Sequence, residues 1–206
     1  MAKPATGGKR GETSAQRREG VFNTHKIIKD LAQQEKKLRP LKHERAYVWD
    51  QDGNLLLTKD GSKSEIRFSA GESKLFKDAI MTHNHPSMMG NGFSDPDIAT
   101  FLKNDMAEMR AVDKGGVFSI KKIKGVKQDP TGLYYARNKN EKEIKKITDA
   151  KYQKIGDEYR SGKISDQEVD KRIAALNREF FERKQKFLKA NARQYGYHYS
   201  FEKQGS

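Results

Sequence analysis

The order of apolar and polar residues divides this chain into a strand-rich centre and charged helical flanks. Short apolar runs typical of β-strands are concentrated between residues 44 and 136. On both sides of this region, apolar residues recur at helical spacing among many charged ones, which predicts amphipathic helices. We therefore expect an α/β (α+β) fold in which a mixed sheet is packed by helices.

The central region contains turn signals that separate its predicted elements. Two apolar runs at 46–49 and 55–58 flank Asp50-Gln51-Asp52-Gly53-Asn54 and predict a β-hairpin. Further strands are predicted at 65–68, 78–82, 110–113, 116–120 and 132–136, and helices at 71–77 and after Ser94. The helix after Ser94 is predicted to bury one face that carries Ile98, Phe101, Leu102, Met106 and Met109.

The whole chain is predicted to have five parts. They are a disordered basic leader at 1–20, a helix at 21–42 that ends at Arg39-Pro40, a metal-binding domain at 43–137, a charged helical hairpin at 138–194 and an aromatic tail at 195–206. The hairpin consists of helices at about 141–161 and 165–193, with Ser165 and Glu168 as a capping box. The tail is expected to form a short strand or a docking segment.

Composition restricts the chemistry of the protein. Hydrophobic and charged residues each make up 34% of the 206 residues, and the mean hydropathy is −0.99, which is too polar for one large core. The formal net charge of +14 favours contact with nucleic acid, an acidic protein or an anionic surface. The absence of cysteine excludes disulfides, thiolate ligands and cysteine nucleophiles, so a metal ion must be bound by His, Asp or Glu.

Membrane insertion is not predicted. No apolar run approaches the ~18 residues of a membrane span, and the N-terminal residues lack the apolar region of a secretion signal. We expect a cytoplasmic protein, and the alternatives are a host cytoplasm, association with a virion or export without a classical signal.

The densest group of reactive side chains is His83-Asn84-His85-Pro86, followed by Ser94-Asp95-Pro96-Asp97. His83 and His85 are two residues apart, so their side chains would lie on one side of an extended strand. Two histidines and a carboxylate are a common ligand set for Zn²⁺ and leave a fourth position for a reactive water. The sequence therefore predicts that His83, His85 and Asp97 bind Zn²⁺ in a hydrolase.

Such a hydrolase also needs a proton shuttle and a donor to the oxyanion. Glu44, which opens the first strand, is the preferred shuttle, and Glu65 and Glu72 are alternatives. Ser94 is the candidate oxyanion donor. The Ser-x-x-Asp spacing is equally typical of a helix N-cap, which would need no catalytic role.

These residues resemble a known family. An early Glu44, then His83-x-His85-Pro86, then Ser94-x-x-Asp97 is similar to the pattern of the JAB/MPN (JAMM) metalloproteases, and most similar to their RadC-like branch and to JAB domains of phage and polymorphic-toxin proteins. Over about residues 43–137 the resemblance implies a JAB/MPN-like fold and a zinc peptidase or isopeptidase. It implies that His83, His85 and Asp97 bind zinc, that Glu44 is the acid/base and that Ser94 stabilises the oxyanion. The implied substrate is a peptide or protein, such as a ubiquitin-like or virion protein.

A second function remains open at this point. The basic flanks favour a nucleic-acid-associated protein of a phage or mobile element, in which a JAB-like domain serves as a scaffold, a nuclease-like toxin module or a virion assembly component.

Overall fold

The computed structural model describes residues 28–29, 31–86 and 92–203. The predicted leader at 1–20 and the first residues of the predicted helix at 21–42 lie outside this described part. The strands are β1 (Arg45–Trp49), β2 (Leu55–Asp60), β3 (Ile80–Asn84), β4 (Glu108–Val112), β5 (Gly116–Lys122) and β6 (Tyr197–Lys203). The α-helices are α1 (Leu31–Leu38), α2 (Ala70–Ser73), α3 (Asp95–Lys103), α4 (Pro130–Arg160) and α5 (Asp166–Asn191), with a 3₁₀ turn at Ala192–Tyr195.

All six strands form one mixed sheet in the order β2-β1-β3-β4-β5-β6. The β3–β4 pair is parallel and the other four pairs are antiparallel. Helix α3 connects the two parallel strands and covers one face of the sheet, while α1 covers the other, so every residue of β3 and β4 is buried. The predicted α+β fold class is confirmed.

Side chains of the central strands alternate between two covered faces. On β3, Ile80 packs with Leu31 of α1, whereas Met81 belongs to a larger core that includes Ile98 of α3 and Leu188 of α5. The same alternation directs Thr82 toward α1, where it donates a hydrogen bond to Glu35 at 3.2 Å. His83, the next residue, therefore faces α3.

A buried ionic cluster attaches α1 to the back of the sheet. The guanidinium of Arg110, which is 1% exposed, donates to Glu35 at 2.6 Å and to Glu108 at 3.0 Å. Ser119 of β5 donates to the same Glu108 oxygen at 2.7 Å. The charges are paired and hydrogen-bonded, which is the condition under which charges can be buried.

The predicted hairpin at 46–58 is confirmed. Asp50 accepts hydrogen bonds from the backbone of Asp52 and from the backbone and side chain of Asn54. Gly53 has φ 88°, a conformation that favours glycine.

The predicted strand at 65–68 is wrong. Ser62 and Glu65 instead close a local turn, because the Ser62 N–H donates to the Glu65 carbonyl at 2.8 Å. A Cβ on Gly61 would lie 2.3 Å from that carbonyl oxygen, so only glycine permits the close approach. Ile66 and Phe68 then pack on the core from an extended segment that pairs with no strand of the described sheet.

Two predicted helices are shorter than their apolar patterns suggest. The helix predicted at 71–77 is the single turn α2, which Ser69 and Glu72 close with a capping box. Helix α3 ends at Lys103, so Met106 lies after the helix and Met109 lies on β4. The apolar periodicity extends past the end of α3 because Met106, in the following loop, and Met109, on β4, are both buried in the main core.

The predicted strand at 132–136 is also wrong, because these residues lie in the first turns of α4. Asp129 accepts a hydrogen bond from the Gly132 N–H at 2.8 Å and Pro130 occupies the first helical turn, a strong helix-start combination. Leu133 and Arg137, four residues apart, are buried, whereas Tyr135 is 68% exposed.

The aromatic tail forms a strand of the sheet. Strand β6 pairs antiparallel with β5, and Tyr197 and Tyr199 are buried in the main core. The α4–α5 hairpin is consequently inserted between two neighbouring strands of one sheet. The predicted boundary at 137/138 falls within α4.

None of the helices in the described ranges is long and apolar enough to cross a membrane.

Candidate metal centre

Two elements bring the predicted ligands together. His83 lies on β3, and His85 follows its last residue, where its N–H still donates to the Val112 carbonyl of β4 at 2.9 Å. Asp97 lies in the first turn of α3. His83 is 3% exposed and His85 is 6% exposed. The sheet therefore fixes both imidazoles, and the start of the next helix presents the carboxylate to them.

The three ligand groups converge on one point. The distance is 3.1 Å between the two Nε2 atoms, 3.1 Å from His83 Nε2 to Asp97 Oδ1, and 3.2 Å from His85 Nε2 to Asp97 Oδ2. Ligands at 2.0–2.1 Å from a tetrahedral zinc ion are separated by about 3.3 Å. The spacing of the side chains thus fits a small tetrahedral cation, and these residues form a group that can hold a metal ion.

Hydrogen bonds from the two rings to Asp97 leave the close contact between the two Nε2 atoms unsatisfied. Each Nε2 has a single in-plane direction for a proton or a lone pair, yet each one faces both the other imidazole and the Asp97 carboxylate. One cation at the common point would satisfy all three groups at once. The Nδ1 atoms of both rings are buried and have no hydrogen-bond partner within the described residues. Metal binding through Nε2 leaves the ring proton on those Nδ1 atoms.

The electrostatics favour an ionised carboxylate beside the imidazoles. Burial by itself would raise the pKa of Asp97, but His83 and His85 hold that pKa well below its usual value. For His85, burial by itself would lower the pKa, and the hydrogen bond and charge of Asp97 raise it, with smaller contributions from Glu44 and Asp113. The site therefore stabilises a positive charge, which is what a metal site requires.

Ser94 caps the helix that carries Asp97. The Ser94 N–H and Oγ–H both donate to Asp97 Oδ2 at 2.7 Å, and the Ser94 Oγ accepts from the Asp97 N–H at 3.2 Å. This capping box fixes the rotamer of Asp97. It occupies Oδ2, so Oδ1 is the carboxylate oxygen best placed to bind a metal. The hydroxyl proton of Ser94 is engaged by Asp97 in this arrangement.

Glu44 lies in the same cavity. This cavity has a volume of about 190 Å³, and its lining includes Glu44, Ser94 and the predicted ligands His83, His85 and Asp97. Burial raises the pKa of Glu44, although His85 and His83 oppose the shift. A carboxyl with a raised pKa is suited to accept and return a proton.

The two alternative carboxylates are engaged elsewhere. Glu65 also lines the cavity, but it is half exposed and pairs with Arg67 at 2.6 Å. Glu72 pairs with Lys59 at 2.8 Å and caps α2. Apart from Asp97, Glu44 is thus the carboxylate of the cavity that pairs with no lysine or arginine among the described residues.

Asn84 positions Glu44, a role that the sequence analysis missed. Its side-chain oxygen accepts from the Arg45 N–H at 2.7 Å, and its side-chain nitrogen donates to the His43 carbonyl at 3.0 Å. One amide therefore fixes the backbone on both sides of Glu44 from the strand that carries His83. In the sequence, the asparagine between the two histidines was the feature that could have indicated this positioning role.

The helical hairpin contacts the start of α3, which was also missed. Arg137 of α4 pairs with Asp95 and with Glu141, and Lys184 of α5 pairs with Asp95 at 3.0 Å. The side chains of Arg137 and Lys184 are only 4% and 11% exposed. Asp95 precedes Asp97 by two residues, so the hairpin holds the end of the helix that presents a ligand.

Comparisons of the chain with protein-family models, with curated proteins and with solved structures find no match.

Proposed function

We propose that this protein is a zinc-dependent hydrolase of the JAMM type that cleaves a peptide or isopeptide bond. The observation that carries the proposal is the convergence of His83, His85 and Asp97 within 4.8 Å of one another, in one cavity with the buried Glu44. When bound, zinc lowers the pKa of a water molecule to about 7 and so supplies a nucleophile near neutral pH.

The residues of the cavity divide the remaining tasks. The two imidazoles and Asp97 would hold the cation. Backbone pairing of β3 and of His85 with neighbouring strands places the histidines, and the Ser94 cap places Asp97. Glu44 accepts a proton from the attacking water and delivers it to the leaving amine, a role that suits its raised pKa.

Ser94 is proposed to donate to the oxyanion that forms on the substrate carbonyl. In the present geometry its proton is directed to Asp97 Oδ2, so this role requires the hydroxyl to rotate. The capping function of Ser94 does not depend on that rotation.

The test compares metal content and hydrolysis in three forms of the protein. We expect about one zinc per chain in the unsubstituted protein, loss of zinc in His85→Ala, and retention of zinc with loss of hydrolysis in Glu44→Gln. Metal is measured by mass spectrometry after removal of any affinity tag, and hydrolysis by mass mapping of digested peptide mixtures. Unsubstituted protein that is folded but takes up no stoichiometric zinc would exclude the proposal.

A second candidate function is nucleic-acid binding by the hairpin. Tyr135, Lys139, Lys142 and Lys146 are all exposed and follow one another on a single face of α4 at helical spacing. A basic stripe with an exposed aromatic side chain is typical of a surface that binds nucleic acid.

The second candidate predicts DNA or RNA binding that weakens with salt and is unchanged in His85→Ala. Lys139→Glu combined with Lys142→Glu should remove this binding without changing the zinc content. Equal binding of nucleic acid by that variant and by the unsubstituted protein would rule out this face of α4 as the binding surface.

A further inference from the structure

A second groove opens beside the metal cavity. It has a volume of about 730 Å³ and lies between the segment at 66–76 and helix α3. Four residues, Ile66, Phe68, Pro96 and Thr100, line both spaces. The groove and the metal cavity therefore adjoin each other, and an extended chain that leaves the groove across these four residues would reach the metal ligands.

The groove combines apolar walls with positive charge. Ile66, Phe68 and Pro96 supply apolar surface, while Lys74 and Lys103 are exposed residues on its lining. No acidic residue is among the described groove-lining residues.

Nearby carboxylates are already paired with other lysines. Glu72 pairs with Lys59 at 2.8 Å, and Asp105 pairs with Lys122 at 2.6 Å. Within the described ranges neither Lys74 nor Lys103 takes part in an ion pair. The groove therefore carries positive charge that no ion pair within the described residues neutralises.

Helix geometry gives the distance between this charge and the metal site. Lys103 follows Asp97 by six residues on α3, which corresponds to about 9 Å along the helix axis at ~1.5 Å per residue. An extended peptide covers about 3.3 Å per residue, so about three residues span that distance.

We propose that the groove binds an extended peptide and selects an acidic side chain about three residues from the bond to be cleaved. Lys74 and Lys103 would bind the carboxylate, and the apolar wall formed by Ile66, Phe68 and Pro96 would contact the residues between. This inference rests on the proposed hydrolase function for the position of the cleaved bond, but peptide binding can be measured without hydrolysis.

The binding test uses the full chain carrying Glu44→Gln, so that the peptide stays intact. The probes are two capped seven-residue peptides of Ala, Leu and Ser that differ only in having Glu or Gln at the fourth position. In ¹H–¹⁵N NMR titrations, the Glu peptide should shift amide signals of 66–76 and 96–104. It should bind about fivefold more tightly than the Gln peptide, the effect expected from two exposed cations.

Matched charge reversals test the role of the two lysines. Lys74→Glu with Lys103→Glu should abolish the preference for Glu. Lys163→Glu with Lys189→Glu changes the net charge equally at two exposed positions of the hairpin and should preserve it. Equal affinities for the two peptides, an equal loss in both double variants, or shifts confined to other residues would each overturn the proposal.

The zinc-loaded protein with Glu44 intact separates this inference from the function on which it rests. Selective binding in the groove without cleavage of any peptide would contradict the hydrolase and leave the groove assignment standing. Cleavage with no preference for Glu near the cleaved bond would contradict the groove assignment and support the hydrolase.

Discussion

Asn84 contacts the backbone of both neighbours of Glu44, so the candidate base and the candidate metal ligands are fixed by adjacent strands. Backbone pairing adds to this restraint, because the Glu44 N–H donates to the Ser62 carbonyl and the Glu44 carbonyl accepts from the Gly61 N–H, each at 2.7 Å. At the residue scale, the position of Glu44 is thus determined by hydrogen bonds of the main chain rather than by its own side chain.

We predict that Asn84→Ala lowers kcat about tenfold while zinc content and KM change little, because a displaced base slows proton transfer. The pH profile of kcat should also shift, which a loss of stability alone would not cause. Asn191→Ala, which removes an amide-to-carbonyl hydrogen bond within α5 and does not line the metal cavity, is the control. Similar kinetic losses in both variants would contradict a positioning role.

Glu44 also makes a prediction about stability and pH. Burial raises its pKa above 4.5, so the fold favours the protonated form. That preference stabilises the protein fully below about pH 4.5 and is lost as the pH rises through the raised value in the folded protein. Glu44→Gln, which stays uncharged, should therefore unfold at a higher temperature than unsubstituted zinc-free protein at pH 7, with the gap closing near pH 4. A difference in unfolding temperature that stays constant between about pH 4 and pH 7 would show that burial of the Glu44 charge does not destabilise the protein.

At the scale of elements, the start of α3 serves both the helix and the site. Ser94 caps α3 with a full capping box that orients Asp97, whereas Ser165 caps α5 only by accepting from the Glu168 N–H at 3.4 Å, without the reciprocal bond of the predicted capping box. These two serines form a matched pair in one chain.

We predict that Ser94→Ala and Ser165→Ala each reduce the free energy of unfolding by about 1 kcal/mol, the usual contribution of a side-chain cap. Only Ser94→Ala should also weaken zinc binding, because it frees the Asp97 carboxylate to rotate. Chemical denaturation and competitive zinc titration measure the two effects. Unchanged zinc affinity in Ser94→Ala would show that the Ser94 cap does not orient Asp97 for zinc binding.

At the scale of the whole molecule, the hairpin inserted between β5 and β6 supports the candidate metal centre. Its contact with α3 passes through Arg137 and Lys184 to Asp95. The hairpin therefore has a structural role at the site in addition to any role in binding.

We predict that Arg137→Met lowers the free energy of unfolding by about 2–3 kcal/mol and weakens zinc binding, because Glu141 and Asp95 lose a buried partner. Lys151→Met removes an exposed ion pair of 2.6 Å with Glu179 in the same hairpin. It should cost less than about 1 kcal/mol and leave zinc affinity unchanged. Equal effects of the two substitutions would show that the hairpin does not support α3.

Local patterns in the sequence were sufficient for elements whose signals are local. The β1–β2 hairpin follows from its Asp-Gly turn, the start of α5 from its Ser165 cap, and the grouping of His83, His85 and Asp97 from their spacing around one loop. These signals act within a few residues, so no knowledge of distant contacts is needed to use them.

Only the tertiary structure decided the features that depend on distant partners. The run at 133–136 has strand-forming residues but is helical, because the Asp129 cap starts α4 and helical spacing then buries Leu133 and Arg137 together. The aromatic tail was compatible with a short strand or a docking segment, and it is a strand at 197–203 because β5 offers it an edge to pair with. The contacts of Asn84 with the residues on either side of Glu44, and of Arg137 with Asp95, likewise join residues about forty positions apart. The sequence by itself determined which side chains could bind a metal, and the folded sheet and hairpin determined how those side chains are held.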